Sequence, residues 1–168
     1  KVVPADVRPT LVLPDADLEA ELVRMTDSYT DELFTLPDSV AVSVVFPVSR
    51  LVVDPERFTD DAQEPMAARG MGVVYTLTSD GRPLRRHVSA EERLSLIRQY
   101  YEPHHRRLTG AAEDMLARSG KCLILDCHSF PSHPLPYEPD QSALRPDICI
   151  GTDEYHTPDR LRDVAATL

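Results

Sequence analysis

The segment Cys122-Leu-Ile-Leu-Asp-Cys-His-Ser129 decides the predicted fold, because an apolar run passes there directly into a polar tetrapeptide. Its first four residues are apolar without polar alternation, which is typical of a strand covered on both faces of a sheet. Val40 to Phe46 and Ile148 to Ile150 repeat the pattern, and Gly72 to Leu77 is a further candidate strand. The sequence therefore predicts several short, buried strands.

Helical patterns lie between these runs. Leu18 to Phe34 carries apolar residues near helical spacing, in one piece or two. The clearest helix begins at Ser89, because Ser89 and Glu92 have the spacing of a capping box. Pro103 should kink or divide this helix, and Gly120 should end it. Strands that alternate with helices predict an α/β fold with a mostly parallel or mixed sheet and helices on both faces.

Length and composition are those of one globular domain of 168 residues. A net charge of −10 argues against a nucleic-acid partner, because phosphate binding needs a basic surface. No apolar run reaches the roughly 18 residues of a membrane span, so we expect no membrane partner. Three cysteines, an odd number, favour free thiols in a reducing cytoplasm over a disulfide framework. The oligomeric state is left open by the sequence.

The tetrapeptide Asp126-Cys-His-Ser129 is the sharpest chemical signal in the chain. Ligands of open α/β sheets bind beyond the carboxyl ends of the strands, where this tetrapeptide is predicted to lie. His128 could present one ring nitrogen to a metal ion while a nearby acid fixes the other nitrogen. The alternative is a histidine that is only hydrogen-bonded. A serine nucleophile at Ser129 is disfavoured, because the chain has no G-x-S-x-G elbow.

A second polar group follows the Val40 to Phe46 run and contains Arg50, Asp54 and Arg57. Guanidinium groups bind carboxylates through two parallel hydrogen bonds, so this pair of arginines suits a substrate that bears carboxylates. Surface ion pairing within the group is the alternative. His104 and His105 either pack against other side chains or lie at the surface, or their ring nitrogens support the residues that line a site.

Five segments, taken in order, resemble the N-formylglutamate amidohydrolase family. They span nearly the whole chain and are Asp27-Ser-Tyr-Thr-Asp-Glu-Leu-Phe34, Ser49-Arg-Leu-Val-Val-Asp-Pro-Glu-Arg57, Tyr100-Tyr-Glu-Pro-His-His105, Asp126-Cys-His-Ser129 and Arg145-Pro-Asp-Ile-Cys-Ile-Gly151. The resemblance implies a zinc-carboxypeptidase-like fold, of the phosphorylase/hydrolase-like kind, and hydrolysis of an amide by a zinc-activated water. By that resemblance His128 and Asp27 are zinc ligands, and Asp126 is a catalytic residue that orients the site.

The resemblance also implies roles for three arginines. Arg50 would polarise the substrate carbonyl and stabilise the oxyanion, as a catalytic residue. Arg57 would hold a substrate carboxylate, and Arg145 would contact the substrate. The favoured reaction is hydrolysis of N-formyl-L-glutamate to formate and L-glutamate in histidine degradation.

The chain departs from the family pattern in three places. Family members usually begin with a strand and a Pro-His-Ser-Gly motif that supplies a zinc ligand, and they continue to a segment with the catalytic glutamate. We therefore expect residues 1–168 to be a single amidohydrolase domain without its N-terminal strand and C-terminal part. Glu56 stands where related enzymes often carry asparagine. The alternatives are a zinc amidohydrolase acting on another N-acyl acidic amino acid, and a non-catalytic domain that binds carboxylates.

Overall fold

Helices are the regular elements of this protein, whose computed structural model describes residues 2–167. Lys1 and Leu168, the two ends of the predicted domain, lie outside the described residues. A π-helix, Ile97–Tyr101, joins two of the α-helices, and 3₁₀ turns cover Arg8–Thr10 and Ala67–Arg69. The α-helices in this range are α1 (Asp15–Arg24), α2 (Thr30–Leu33), α3 (Ala90–Leu96), α4 (Glu102–Ser119) and α5 (Asp159–Ala165).

The predicted α/β fold is wrong, and with it the zinc-carboxypeptidase-like sheet. Residues 2–167 contain no β-strand, and isolated bridges are the sheet-like pairings they show. A parallel bridge joins Val2 to Val48. Two antiparallel bridges join Leu11 to Arg85 and Leu77 to Pro83.

The predicted strands fail for a common physical reason. A strand needs a neighbour in register to satisfy its backbone amides and carbonyls. Within the described part of the chain, 122–125 and 148–150 find no such neighbour, and Leu125 is 70% exposed and Ile148 81% exposed. In the 40–46 run only Phe46 is buried. Residues 73–75 are buried as predicted but form no ladder.

The local helix signals are confirmed. The Ser89 hydroxyl accepts a hydrogen bond from the Glu92 backbone amide, and the Glu92 side chain accepts one from the Ser89 amide. Gly120 ends α4 with φ +70°, which glycine adopts readily because it has no Cβ. Pro103 lies in the first turn of α4, directly after the π-helix, where its missing N–H costs little.

The core lies in the first hundred residues and consists of two apolar clusters. No described residue beyond Ile97 is fully buried. One cluster contains Val7, Phe46, Val48, Val52, Val53, Val73, Val74 and Ile97. The other contains Leu11, Leu13, Leu18, Met25, Leu51, Met71, Tyr75 and Leu84. Consecutive residues therefore enter different clusters: Leu51 packs into the second, and Val52 and Val53 pack into the first.

In the described range, no helix combines the length and the apolar character that a membrane crossing requires.

Candidate active site

Polar side chains converge at the edge of the core from three distant parts of the sequence. Asp27 follows α1, Arg50 precedes the buried residues 51–54, and His128 belongs to the irregular segment after α4. The backbone near Arg50 is fixed, because the Ser49 amide donates to the Val2 carbonyl at 2.9 Å. The segment then enters the core directly, so Arg50 projects from a rigid base.

Arg50 is the central cation of this group. Its Nη2 donates to Asp27 Oδ2 at 2.7 Å and to Glu56 Oε1 at 3.4 Å, and its side chain is 12% exposed. Burial alone would lower the pKa of Arg50, but the surrounding carboxylates, Asp54 first, outweigh it and hold that pKa above its ordinary value. Arg50 therefore stays charged within a set of acids.

His128 lies on the other side of Asp27. Its Nδ1 is 3.6 Å from Asp27 Oδ1 and 3.8 Å from Glu56 Oε1, and its Nε2 is 3.3 Å from Asp126 Oδ1. Hydrogen bonding to Asp126, and then to Asp27, raises the pKa of His128 to about 10. Since acids face both ring nitrogens, the surroundings of His128 favour positive charge.

Arg57 lies beside this group, above a buried acid. Its Nε is 3.7 Å from Asp54 Oδ2 and 4.0 Å from Glu64 Oε1, distances at which charge rather than a hydrogen bond holds it. Asp54 is fully buried and accepts a hydrogen bond from the Tyr75 hydroxyl at 2.7 Å. Burial opposes the raised pKa of Arg57, but Tyr75 and Asp54 outweigh burial and keep it charged.

Arg145 has a different set of partners from the other predicted site residues. It pairs with Glu138 at 2.8 Å and lies over the Phe130 ring at 5.0 Å from the centroid. Tyr137 is affected by the charges around Arg50 and around Arg145. Burial raises the pKa of Tyr137, the charge of Arg50 lowers it, and the charge of Glu138, the partner of Arg145, raises it. The structure thus brings Asp27, Arg50, Asp126 and His128 together and puts Arg57 next to them, whereas Arg145 pairs with Glu138.

The donors present fit part of a zinc site. Two ligands of a tetrahedral zinc ion stand about 3.4 Å apart, from metal–ligand bonds of about 2.1 Å. Asp27 Oδ1 and His128 Nδ1 are separated by 3.6 Å, close to that value. Asp126 at Nε2 is the kind of acid that orients a ligand histidine. Residues 2–167 nevertheless contain no group of three or more His, Cys, Asp or Glu side chains arranged to hold a metal.

Sequence reasoning overlooked three residues around the arginines. The sequence predicts Tyr75 to lie in an apolar strand, and its side-chain hydroxyl gives no separate signal there. Glu64, which is 7% exposed, accepts hydrogen bonds from the backbone amides of residues 58 and 66. Tyr137 belongs to a proline-rich loop whose course no local pattern fixes.

Comparison with known proteins gives the same family as the resemblance of the motifs. The family model described as N-formylglutamate amidohydrolase matches residues 1–168. A protein of Pseudomonas aeruginosa named N-formylglutamate deformylase is 32% identical over 140 residues, which cover 80% of this chain and 51% of the relative. A protein of Pseudomonas putida with the same name is 31% identical over 139 residues, which cover 80% of this chain and 50% of that relative.

The chain spans about half the length of these curated relatives. No solved structure matches it significantly. The family model matches the full sequence, and the structure brings together Asp27, Arg50 and His128, which come from three of the five family segments. This chain belongs to the N-formylglutamate amidohydrolase family.

Proposed function

We propose that the protein hydrolyses N-formyl-L-glutamate to formate and L-glutamate in a zinc-dependent reaction. Water is added across the formamide C–N bond: the hydroxyl goes to the formyl carbon, and the nitrogen leaves as an amine with the proton. Family membership and the names of the two relatives support this choice of substrate. The observation that carries the proposal is Asp27, whose two oxygens face Arg50 and His128.

His128 and Asp27 would hold the metal ion in this proposal, and the remaining positions would go to water, substrate or further protein groups. Zinc, when bound, lowers the pKa of a coordinated water to about 7 and so supplies hydroxide at neutral pH. Asp126 would accept a hydrogen bond from the other ring nitrogen of His128 and thereby fix the ring orientation. Arg50 keeps Asp27 from rotating away, because it binds the second oxygen of the same carboxylate.

Arg50 has a second task in this proposal. Its guanidinium would donate to the formyl oxygen of the substrate and stabilise the negative charge that develops there. The group is suited to this because Arg50 is nearly buried and permanently charged, and its fixed donors need no reorganisation.

Arg57 would bind a substrate carboxylate, and Arg145 would contact the substrate from the adjacent loop. A guanidinium that is held by charge over Asp54 and Glu64, rather than in a tight bidentate pair, can still offer its donors to a ligand. An acidic protein can bind an acidic substrate in this way, because the local field of the arginines acts over a few ångströms. We place the reaction in histidine degradation and, from the three free thiols, in the cytoplasm.

A second candidate is a domain that binds carboxylates without turnover. One observation favours it: Arg57 is held over Asp54 and Glu64 by charge, so it could offer its donors to a carboxylate without any metal ion. In that case carboxylate binding would be independent of metal, and no formate would be released.

Formate release from N-formyl-L-glutamate by metal-stripped protein, with and without added zinc, tests the proposal. We expect release only with zinc, and we expect His128→Ala to abolish both release and stoichiometric zinc uptake. His156→Ala is the matched control, because His156 is exposed and its contacts are with its sequence neighbours Asp153 and Tyr155. Equal release without metal would contradict the zinc mechanism, and carboxylate binding without any release would favour the second candidate.

A further inference from the structure

Residues 54–57, here called the arginine loop, carry both Glu56 and Arg57. The loop is short and internally bonded: Asp54 Oδ1 accepts from the Glu56 amide at 3.1 Å, and the Arg57 amide donates to the Asp54 carbonyl at 3.4 Å. The position of the loop relative to Arg50 therefore depends on the contacts of Asp54 and Pro55. Two residues outside the loop make these contacts, Tyr75 to Asp54 and His105 to Pro55.

Tyr75 holds the loop from the core side. Tyr75 and Asp54 are both 0% exposed, and the tyrosine hydroxyl donates to Asp54 Oδ2 at 2.7 Å. The Asp54 amide donates to the Val73 carbonyl at 2.9 Å, so backbone and side chain are fixed by the same buried segment. The oxygen that receives the Tyr75 hydroxyl is also the one 3.7 Å from Arg57 Nε. The Tyr75 hydroxyl therefore holds in place the carboxylate oxygen whose charge attracts the Arg57 guanidinium.

His105 holds the loop from the helix side. Its Nε2 is 2.9 Å from the Pro55 carbonyl oxygen, and because a carbonyl only accepts, Nε2 must carry the proton. The His105 ring is tilted against the Tyr101 ring with centroids 4.1 Å apart. Tyr101 is the last residue of the π-helix, and such a widened turn changes which side chains of the following helix face a given neighbour.

We infer that Tyr75 and His105 are positioning residues, which clamp the arginine loop from two sides so that Arg57 meets a dicarboxylate ligand in one orientation. Neither residue touches the ligand in this inference. It rests on the proposed role of Arg57 as the carboxylate anchor, and it adds the two groups that make that anchor specific. A loop that is not held in advance must be ordered when the ligand binds, and that ordering lowers the affinity, so a loose loop should be visible in binding.

The test is calorimetric binding of glutarate, an unreactive dicarboxylate, to the full chain and its variants. We expect Tyr75→Phe and His105→Ala each to weaken glutarate binding about ten-fold. His105→Gln should restore most of the affinity, because its side-chain amide can donate to the Pro55 carbonyl as Nε2 does. With N-formyl-L-glutamate, the same variants should raise KM about ten-fold and change kcat less than about three-fold, the pattern of lost uniform binding.

Matched controls remove the same chemical groups elsewhere. Tyr100→Phe removes a hydroxyl that is bonded to Gln99, and His87→Ala removes an exposed ring. Both should bind glutarate like the unaltered protein. Unchanged glutarate affinity in Tyr75→Phe and His105→Ala would overturn the inference, even if their melting temperatures fell. No glutarate binding by the unaltered protein would overturn it as well.

The glutarate measurement separates this inference from the proposed function. It needs neither zinc nor turnover, so weakened binding in the two variants would support the clamp even if no formate were released. If Tyr75→Phe does not fold, the comparison of His105→Ala with His105→Gln decides the outcome alone. Equal affinities in that pair would contradict the clamp.

Discussion

Asp27 directs its two carboxylate oxygens at two different side chains. Oδ2 accepts from Arg50 at 2.7 Å, and Oδ1 faces His128 at 3.6 Å. A carboxylate that is bound at one oxygen has little freedom to rotate, so its other oxygen points in a fixed direction. Arg50, which is proposed to act on the substrate, therefore also orients Asp27, one of the two proposed zinc ligands.

Replacement of Arg50 by lysine tests this double role. Lysine keeps a positive charge near Asp27 but lacks the planar fork of donors, so it should hold the aspartate and fail to stabilise the oxyanion. We expect Arg50→Lys to lower kcat for N-formyl-L-glutamate by about 100-fold or more, with zinc content unchanged. Arg86→Lys, at an exposed arginine, is the control and should leave kcat unchanged. A normal kcat in Arg50→Lys would contradict the role in catalysis.

The side chains of this site differ in how far sequence could predict them. Asp27, Arg50 and His128 lie in segments with a recognisable order, and the structure brings them together. Tyr75 could not be found in that way, because Val73-Val74-Tyr75 has the composition of an ordinary buried run. What makes Tyr75 important is a hydroxyl contact with a residue 21 positions earlier, and only the tertiary structure supplies that.

Helix ends are the part of the architecture that local chemistry determines. Ser89 and Glu92 are three residues apart, and Gly120 follows its helix directly, so their effects need no distant partner. A strand does need a distant partner strand, and in the described chain the apolar run 122–125 has no strand paired with it. The same apolar composition therefore gave a correct prediction of burial at 73–75 and a wrong one at 122–125.

Two glycines with the same backbone angle provide a matched stability experiment. Gly70 and Gly120 both have φ +70°, but a Cβ at Gly70 would lie 2.6 Å from Leu77 Cγ, whereas one at Gly120 would meet nothing within 4 Å. Gly120→Ala should cost about 1 to 2 kcal/mol for the left-handed backbone. Gly70→Ala should cost about 1 to 3 kcal/mol more, because the added carbon overpacks the turn. Urea denaturation measures both, and equal costs would contradict the steric account.

The start of α3 should make stability depend on pH. Hydrogen bonds from Arg86, and then from the Ser89 amide, lower the pKa of Glu92 from 4.5 to about 2. A carboxyl whose pKa is lower in the folded state contributes stability above its unfolded pKa, and that contribution is lost as pH falls through the folded value. The contribution of Glu92 should therefore be complete above about pH 5 and shrink between pH 4.5 and 2.

Glu92→Gln isolates this effect, because glutamine can still accept from the Ser89 amide but carries no charge. We expect its urea midpoint to lie below that of the unaltered protein at pH 6 and to approach it at pH 3. Glu91→Gln, at the neighbouring exposed acid, is the control. A difference that stays constant from pH 6 to pH 3 would rule out the assigned ion pair.

Burial is distributed unevenly along the chain. The two apolar clusters draw their members from residues 7–97, whereas several apolar side chains beyond α4 face outward. The segment 51–53 joins the two clusters, because Leu51 packs into one of them and Val52 and Val53 pack into the other. Of the apolar runs that the sequence predicts to be buried, 73–75 is buried, whereas 123–125 and 148–150 are exposed.

The exposed apolar run 123–125 should bind a hydrophobic dye. Contiguous apolar surface is uncommon on monomeric proteins, whereas single exposed apolar residues are normal. We expect anilinonaphthalene sulfonate fluorescence from the native chain, reduced by Ile124→Lys within the exposed run 123–125. Val23→Lys is the control, because Val23 is exposed to a similar degree, 67% against 57%, but stands alone on α1. Equal effects of the two substitutions would contradict a contiguous dye site.

The shared segment 51–53 has a consequence for the timescale on which the site moves. The amides of Val52 and Asp54 belong to buried residues and donate to the Ser49 and Val73 carbonyls, and both residues lie between Arg50 and Arg57 in the sequence. Amides of this kind exchange with solvent deuterium only when the protein opens globally, whereas those of loops exchange through local fluctuations. The two arginines therefore flank backbone that we expect to exchange slowly, and the proposed substrate would meet a surface that is already ordered.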